Sequence, residues 1–170
     1  MSTLQHDPAL EPPPLGALPP LGSSRRDEAG MQMQETLVEL VGLALLGKQL
    51  HWSVTGRFFR SLHLQLDEMI DAWRELGDTV AERSVAIGFI PDGQAGTVAR
   101  DASFISVERG VIEDHLVVRT LTHQLAETAE RIRSRMSRLG ELDPPSEDVP
   151  VEVVRTLEEQ LWMIRVQQSS

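Results

Sequence analysis

The chain has 170 residues, of which 41% are apolar, carries a formal net charge of −10 and contains no cysteine. This length fits one domain with a sizeable core, and the missing thiols exclude disulfides, zinc–thiolate sites and thiol catalysis. No apolar run reaches the ~18 residues that a membrane span requires and no secretory signal pattern is visible, so we expect a cytoplasmic protein with no membrane partner.

The first thirty residues differ in composition from the rest of the chain. Residues 1–30 contain six of the ten prolines, including the run Pro12-Pro13-Pro14. Such runs favour extended backbone and supply few apolar side chains for a core. We therefore predict a flexible, proline-rich N-terminal arm over residues 1–30.

The first two helices are predicted by apolar residues at three- and four-residue steps. One helix runs from about Met31 to a break near Gly56, because glycine readily adopts the left-handed conformation found at helix ends. The second covers about residues 57–87 and closes at Gly88. Residues 88–106 are rich in proline and glycine, so we predict a long crossover that carries one short helix.

Two further helices complete the predicted fold. Apolar spacing predicts a third helix over about residues 107–139 and a fourth that opens at Ser146, after the break at Pro144-Pro145. No segment has the alternating pattern of a strand, so we predict an all-α protein. Four helices, two hairpins and one long crossover describe a ferritin-like four-helix bundle, which we assign to residues 31–170.

Four side chains that can bind metal lie on one stripe of the second predicted helix. His63 and Asp67 are one turn apart, as are Asp78 and Glu82, and the four fall within roughly 100° around the axis. The centres of the two pairs are about 22 Å apart along the helix, so no single ion can bridge them. An antiparallel copy packed about a two-fold axis near Trp73 would place each pair opposite the other pair of its partner.

A further ligand candidate, His51, lies just before the predicted end of the first helix, where a hairpin could bring it beside His63. The predicted site then takes His51, His63 and Asp67 from one chain and Asp78 and Glu82 from its mate. Imidazole and carboxylate without thiolate suit iron, manganese or zinc, and they suit metals that change oxidation state. The alternative is a solvated polar face, or acids that pair with Arg60, Arg74 and Arg83.

The residues around these ligands resemble the Dps family of ferritin-like mini-ferritins, the DNA-binding proteins from starved cells. The signature of that family begins His-Trp-x-hydrophobic-x-Gly, which residues 51–56 match, and continues with Leu62-His63 and Asp67. Its second part, Asp-x-x-x-Glu-Arg, matches Asp78, Glu82 and Arg83. The likeness covers about residues 31–167, everything but the arm.

This resemblance implies a hollow spherical dodecamer that acts as a ferroxidase and an iron store. Ferrous iron would be oxidised at the two-fold interfaces, preferably by hydrogen peroxide, with oxygen as the other oxidant. The ferric product would be stored inside as a mineral, which protects against oxidative damage. The resemblance also makes Trp52 a candidate redox buffer that takes up stray oxidising equivalents; packing in the core is the alternative for this residue.

The family has acidic pores at its three-fold axes, and the resemblance locates them before and at the start of the last helix. Five acids and no base lie between residues 141 and 152. The pore candidates are Asp143, Glu147, Asp148 and Glu152. Acids at a helix N-terminus also complement the helix dipole, and this is the alternative interpretation.

Binding to DNA is doubtful for this chain, although it defines the main alternative function, a nucleoid-associated structuring protein. DNA-binding members of the family use lysine-rich tails, whereas this chain has a single lysine, Lys48, and a slightly acidic arm. Its one basic cluster consists of Arg131, Arg133, Arg135 and Arg138, which we expect to form surface salt bridges. A purely structural shell without redox activity is the third alternative.

Overall fold

The computed structural model describes residues 18–169, with side chains up to Gln167, and is built from helices around one core. The elements in chain order are α1 (Ser23–Ser53), β1 (Val54–Thr55), α2 (Phe59–Ala86), α3 (Ala95–Asp101), β2 (Ile112–Glu113), α4 (Asp114–Leu142), α5 (Pro144–Arg165) and a 3₁₀ turn (Val166–Ser169). The predicted all-α bundle with a short helix in a long crossover is confirmed.

The four long helices pack as two hairpins, α1 with α2 and α4 with α5, and contacts of α1 with α4 and of α2 with α5 join the hairpins. Trp73 is fully buried in this core, and its indole Nε1 donates a hydrogen bond of 2.7 Å to Gln160 Oε1 on α5. The one polar atom of a buried aromatic ring is therefore satisfied within the core. Among the described helices, none is both long and apolar enough to cross a membrane.

The first helix begins earlier than its sequence pattern indicates. Helix α1 starts at Ser23 instead of Met31, so the part of the predicted arm from residue 23 to residue 30 is helical. The extension is held by tertiary contacts: Ala29 is buried, and Arg26 Nε donates a 2.6 Å hydrogen bond to the carbonyl of Ile87 at the end of α2. Residues 1–17 of the predicted arm lie outside the described residues.

Helix α2 ends as predicted at a left-handed glycine. Gly88 has a φ of +89°, and its N–H donates to the carbonyl of Val85, while the N–H of Phe89 reaches back to Ser84. These two bonds form a Schellman motif, which satisfies carbonyls that have no partner inside the helix. Gly56 also has a positive φ, +115°, but α1 ends three residues before it, at Ser53.

The prediction that the chain lacks strands was wrong in one place. A short pair of strands is present, and its pairing also displaces the start of α4. Val54 and Thr55 pair in parallel with Ile112 and Glu113, so the chain before α4 is extended and the helix begins at Asp114 instead of Val107. A two-residue bridge between distant segments leaves no alternating pattern to detect. Helix α5 starts at Pro144, two residues before the predicted start, because proline fits the first turn of a helix.

Candidate metal centre

The turn between α1 and α2 brings two histidines together. His51 is in the last turn of α1 and His63 in the second turn of α2, and residues 54–58 reverse the chain between them. The two imidazole rings are stacked with centroids 3.6 Å apart and an interplanar angle of 23°. The predicted hairpin that places His51 beside His63 is therefore present.

Each histidine is held by the backbone of the other. His51 Nδ1 lies 3.1 Å from the carbonyl oxygen of His63, and His63 Nδ1 lies 3.0 Å from the carbonyl oxygen of His51. A carbonyl oxygen only accepts hydrogen bonds, so Nδ1 carries the proton in both rings. In the neutral ring, Nε2 then keeps its lone pair, and this is the form of imidazole that binds metal.

Asp67 completes a group of three ligands within one chain. It lies one turn beyond His63 on α2, and one ligand atom from each of His51, His63 and Asp67 falls within 4.8 Å of the others. His51 is buried, whereas His63 and Asp67 are half-buried. One carboxylate and two imidazoles, accessible from one side, can bind a divalent metal and leave positions open for further ligands.

The carboxylate of Asp67 forms an ion pair with a lysine. Lys48 Nζ lies 2.5 Å from Asp67 Oδ1. The hydrogen bond from Lys48 lowers the pKa of Asp67 from its usual 3.8; burial opposes this shift, and the charges of His51, Lys48 and His63 add to it. Sequence reasoning did not include Lys48 in the site, although its position three residues before His51, on the same face of α1, was a usable signal.

The other two predicted ligands are not part of this group. Asp78 and Glu82 are exposed on α2, which continues without interruption from Phe59 to Ala86. Asp78 is eleven residues beyond Asp67, which corresponds to about 16 Å along the axis. Within the described residues, only His51, His63 and Asp67 converge as a possible metal site.

The arginines that could have neutralised Asp78 and Glu82 have other partners. Arg74 Nη1 lies 3.5 Å from Asp71 Oδ1. Arg83 donates hydrogen bonds of 2.7 Å to Asp143 Oδ2 and of 2.9 Å to Ser146 Oγ, which connects α2 to the α4–α5 junction. Pairing with these two arginines therefore does not explain the acids at positions 78 and 82.

An open apolar groove of about 520 Å³ runs along α1 and α2. Its lining extends from Lys48 and Trp52 at one end, past Trp73, to Asp78 at the other. Trp52 is 72% exposed and Leu45 is 57% exposed, so Trp52 does not pack into the core of its own chain. Large exposed apolar side chains around a groove are typical of a surface that binds another protein.

The four acidic pore candidates lie in different surroundings. Asp143 accepts hydrogen bonds from Ser146 Oγ and Arg83 Nη2, and its side chain is mostly buried. Glu147 is half-buried against Gly140, whereas Asp148 and Glu152 are exposed one turn apart on α5. Burial would raise the pKa of Asp143, but the two hydrogen bonds and the guanidinium charge outweigh it and lower the pKa from 3.8.

The arginine cluster on α4 is neutralised by acids, as predicted. Every member forms at least one ion pair, and several of these pairs reach other helices. The acidic partners are Glu39 and Glu127 for Arg131, Glu158 for Arg133, Glu35 and Glu39 for Arg135, and Glu28 and Glu141 for Arg138.

Comparisons with known proteins agree with this architecture. The family model of the ferritin-like domain matches residues 31–169. The chain is 29% identical over 167 residues to DNA protection during starvation protein 2 of Deinococcus radiodurans, which covers 96% of this chain and 69% of the relative. It is 35% identical over 135 residues to the fine tangled pili major subunit of Haemophilus ducreyi, with 78% and 70% covered.

Among solved structures, the chain resembles Dps from Microbacterium arborescens in the high iron form. The TM-score is 0.84 at 25% identity, and the likeness covers 91% of this chain and all (100%) of the other. The span matched by the family model includes every side chain of the candidate metal centre.

Proposed function

The chain belongs to the Dps family of ferritin-like proteins, which implies iron storage and protection, and we propose that it oxidises ferrous iron at sites shared between two subunits. Iron is the substrate in this proposal. Twelve subunits would enclose a cavity in which the ferric product is stored as a mineral.

The observation that carries the proposal is the convergence of His51, His63 and Asp67. Their ligand atoms lie within 4.8 Å of one another, and both Nδ1 atoms are used by backbone carbonyls. In its neutral form each ring keeps the lone pair of Nε2 for a metal, and the Asp67 carboxylate is a hard ligand that favours the higher charge of ferric iron. Three protein ligands leave room for an oxidant.

A second subunit would complete the site. Asp78 and Glu82 lie too far along α2 to reach the ion held by Asp67 of their own chain. The apolar groove between Trp52 and Asp78 supports an antiparallel partner, because covering it removes Trp52 and Leu45 from water. Its lining contains Trp73, near which the helical spacing of the candidate ligands predicts the two-fold axis.

In the proposed reaction, two ferrous ions reduce one hydrogen peroxide: 2 Fe²⁺ + H₂O₂ + 2 H⁺ gives 2 Fe³⁺ + 2 H₂O. Each iron loses one electron, the O–O bond breaks, and both oxygens leave as water. Because the two electrons are delivered together, no hydroxyl radical is released. Trp52, next to His51 in the chain, would supply an electron if only one iron is present.

The direct test is peroxide-driven oxidation of ferrous iron by the purified protein, followed by ferric absorbance. The wild-type protein should oxidise iron faster than a protein-free control and keep the product in solution. His63→Ala should lose most of this rate, while His123→Ala, which changes an exposed histidine on α4, should retain it. Equal rates with and without protein would leave a purely structural shell as the better interpretation.

A further inference from the structure

A carboxylate on α4 holds the turn that lies between the two histidines. Asp114 Oδ2 accepts a 2.8 Å hydrogen bond from the N–H of Phe58, the residue just before α2. Asp114 Oδ1 accepts a 2.7 Å bond from the N–H of His115. The Asp114 side chain is only 14% exposed, although α4 is far from this turn in sequence.

The rest of the turn is shaped to admit this carboxylate. Gly56 packs directly against it, since a Cβ atom at that position would lie 2.6 Å from Asp114 Oδ2. The φ of +115° at Gly56 is also unfavourable for residues with a side chain. The α1–α2 turn and the start of α4 are also joined by strand pairing, of Val54 with Ile112 and of Thr55 with Glu113.

The charge of Asp114 suits its place between two helix N-termini. Helix α2 begins at Phe59 and α4 begins at Asp114 itself, and the residue before each helix makes no capping hydrogen bond with its side chain. A carboxylate at this position satisfies N–H groups at both helix starts and interacts favourably with both dipoles. These interactions offset the cost of burying the charge.

The path from this carboxylate to the metal ligands is short. The N–H of Phe58 sets the start of α2, and the ring of the next residue, Phe59, lies 5.1 Å from the ring of His63. His63 in turn exchanges hydrogen bonds with His51 across the hairpin. A shift of the turn would therefore separate the two imidazoles.

We propose that Asp114 is a positioning residue for the iron site: it fixes the α1–α2 turn so that His51 and His63 stay side by side next to Asp67. Asp114 touches neither histidine and acts only through the turn. The inference rests on the proposed function, because the site that it positions is the ferroxidase site.

The test compares Asp114→Ala, which removes the acceptor, with Asp114→Asn, which keeps an oxygen for the N–H of Phe58. Affinity for Co²⁺ is measured by visible absorbance, and ferrous oxidation is followed in parallel. We expect Asp114→Ala to weaken Co²⁺ binding by about tenfold, the effect of one lost charge-assisted hydrogen bond, and Asp114→Asn to stay within about threefold of wild type.

Gln124→Ala is the control for a general loss of stability. Gln124 holds the crossover to α4 through hydrogen bonds with Ile105 and Ser103, away from the α1–α2 turn. The Gln124→Ala variant should have a lower Tm than wild type and an unchanged affinity for Co²⁺. Amide exchange of the metal-free protein, followed by mass spectrometry, should be faster around Phe58 in Asp114→Ala and unchanged there in Gln124→Ala.

The outcomes separate this inference from the proposed function. If wild type binds Co²⁺ and oxidises iron, and Asp114→Ala does both equally well, the positioning role is wrong and the ferroxidase proposal stands. If Gln124→Ala loses as much affinity as Asp114→Ala, the effect is general destabilisation and the inference fails. A wild-type protein that neither binds Co²⁺ nor oxidises iron overturns both.

Discussion

Lys48 Nζ lies 2.5 Å from Asp67 Oδ1, so the carboxylate expected to bind iron holds a positive charge before any metal arrives. An incoming divalent ion must displace this ammonium group or tolerate it nearby. A unit charge about 4 Å from a divalent ion costs on the order of 1–2 kcal/mol where water screens the pair. We therefore expect the contact to weaken metal binding at this half of the site.

The first prediction concerns this competition. Lys48→Gln should bind Co²⁺ about three- to tenfold more tightly than wild type, because the repulsive charge is gone. Lys48→Arg keeps the charge and serves as the matched control, with affinity near that of wild type. Absorbance titrations at pH 7 would measure both variants, and a Lys48→Gln protein with unchanged or weaker affinity would contradict the competition.

The second prediction tests whether the ligands come from two chains. Asp67→Ala and Glu82→Ala should each abolish rapid ferrous oxidation. When the two variants are co-expressed in equal amounts, half of the dimers are mixed, and one of the two sites in each mixed dimer regains all its ligands. About a quarter of the wild-type rate should therefore return.

The recovery is measured on co-expressed shells and on a mixture of separately assembled shells, which cannot exchange subunits if they are stable. A site built from one chain would give no recovery in either sample, since each chain lacks one ligand. Recovery confined to the co-expressed sample is the result expected of a shared site.

The third prediction uses the ion pair between Arg83 and Asp143. The pKa of Asp143 is below its usual 3.8 in the folded protein, so its carboxylate contributes stability above that value and loses it as pH falls through the folded pKa. Asp143→Asn should be less stable than wild type by about 1–2 kcal/mol at pH 7. The difference should disappear in strong acid, below the folded pKa.

Thermal unfolding across this pH range provides the measurement, and Asp148→Asn is the matched control. Asp148 is an exposed acid in the same segment, so its neutralisation should shift Tm little at any pH. If the difference in Tm between Asp143→Asn and wild type stayed constant from neutral to strongly acidic pH, the ionised pair would not be the cause of the lost stability.

The helices were predictable because the apolar residues that fill the core recur with helical spacing. The two largest displacements of a predicted boundary, at the start of α1 and at the start of α4, both depend on contacts between distant segments. Arg26 holds the first turns of α1 against the end of α2, and β2 keeps the chain extended up to Asp114. Local propensity carries no information about either contact, so the sequence alone could not indicate them.

Part of the candidate site could likewise be predicted from the sequence, and part could not. His63 and Asp67 are one turn apart on one helix, so their convergence follows from helical geometry. Lys48 joins them through the packing of α1 on α2, and Asp114 reaches the turn from the other hairpin. Sequence reasoning predicted that His51, His63 and Asp67 lie together because they share a helix or a hairpin. It missed Lys48, although this residue is in the same hairpin, and it missed Asp114, which belongs to the other hairpin.

The fourth prediction is weak binding to DNA at physiological ionic strength. The arginines of the α4 cluster are already paired with acids, and the net charge is −10. Phosphate binding would have to break these pairs, and residual attraction is screened by salt. Plasmid retardation in agarose should be absent near 150 mM salt, and tight retardation that persists at that concentration would refute the prediction.

The fifth prediction concerns the entry of iron into the shell. Asp143 is paired with Arg83, which leaves Asp148 and Glu152 as the exposed acids of the segment, one turn apart at the start of α5. If this helix start lines a pore, its negative field concentrates ferrous ions at the entrance. Asp148→Asn combined with Glu152→Gln should therefore slow iron uptake by about tenfold at low salt and by less at high salt, where screening already weakens the field.

Asp101→Asn combined with Glu108→Gln removes the same charge from the crossover and should leave uptake unchanged. Because the metal ligands are intact in both variants, Co²⁺ affinity should stay at its wild-type value. Normal uptake with normal salt dependence in the first variant would show that iron enters elsewhere, with the ferroxidase site unaffected.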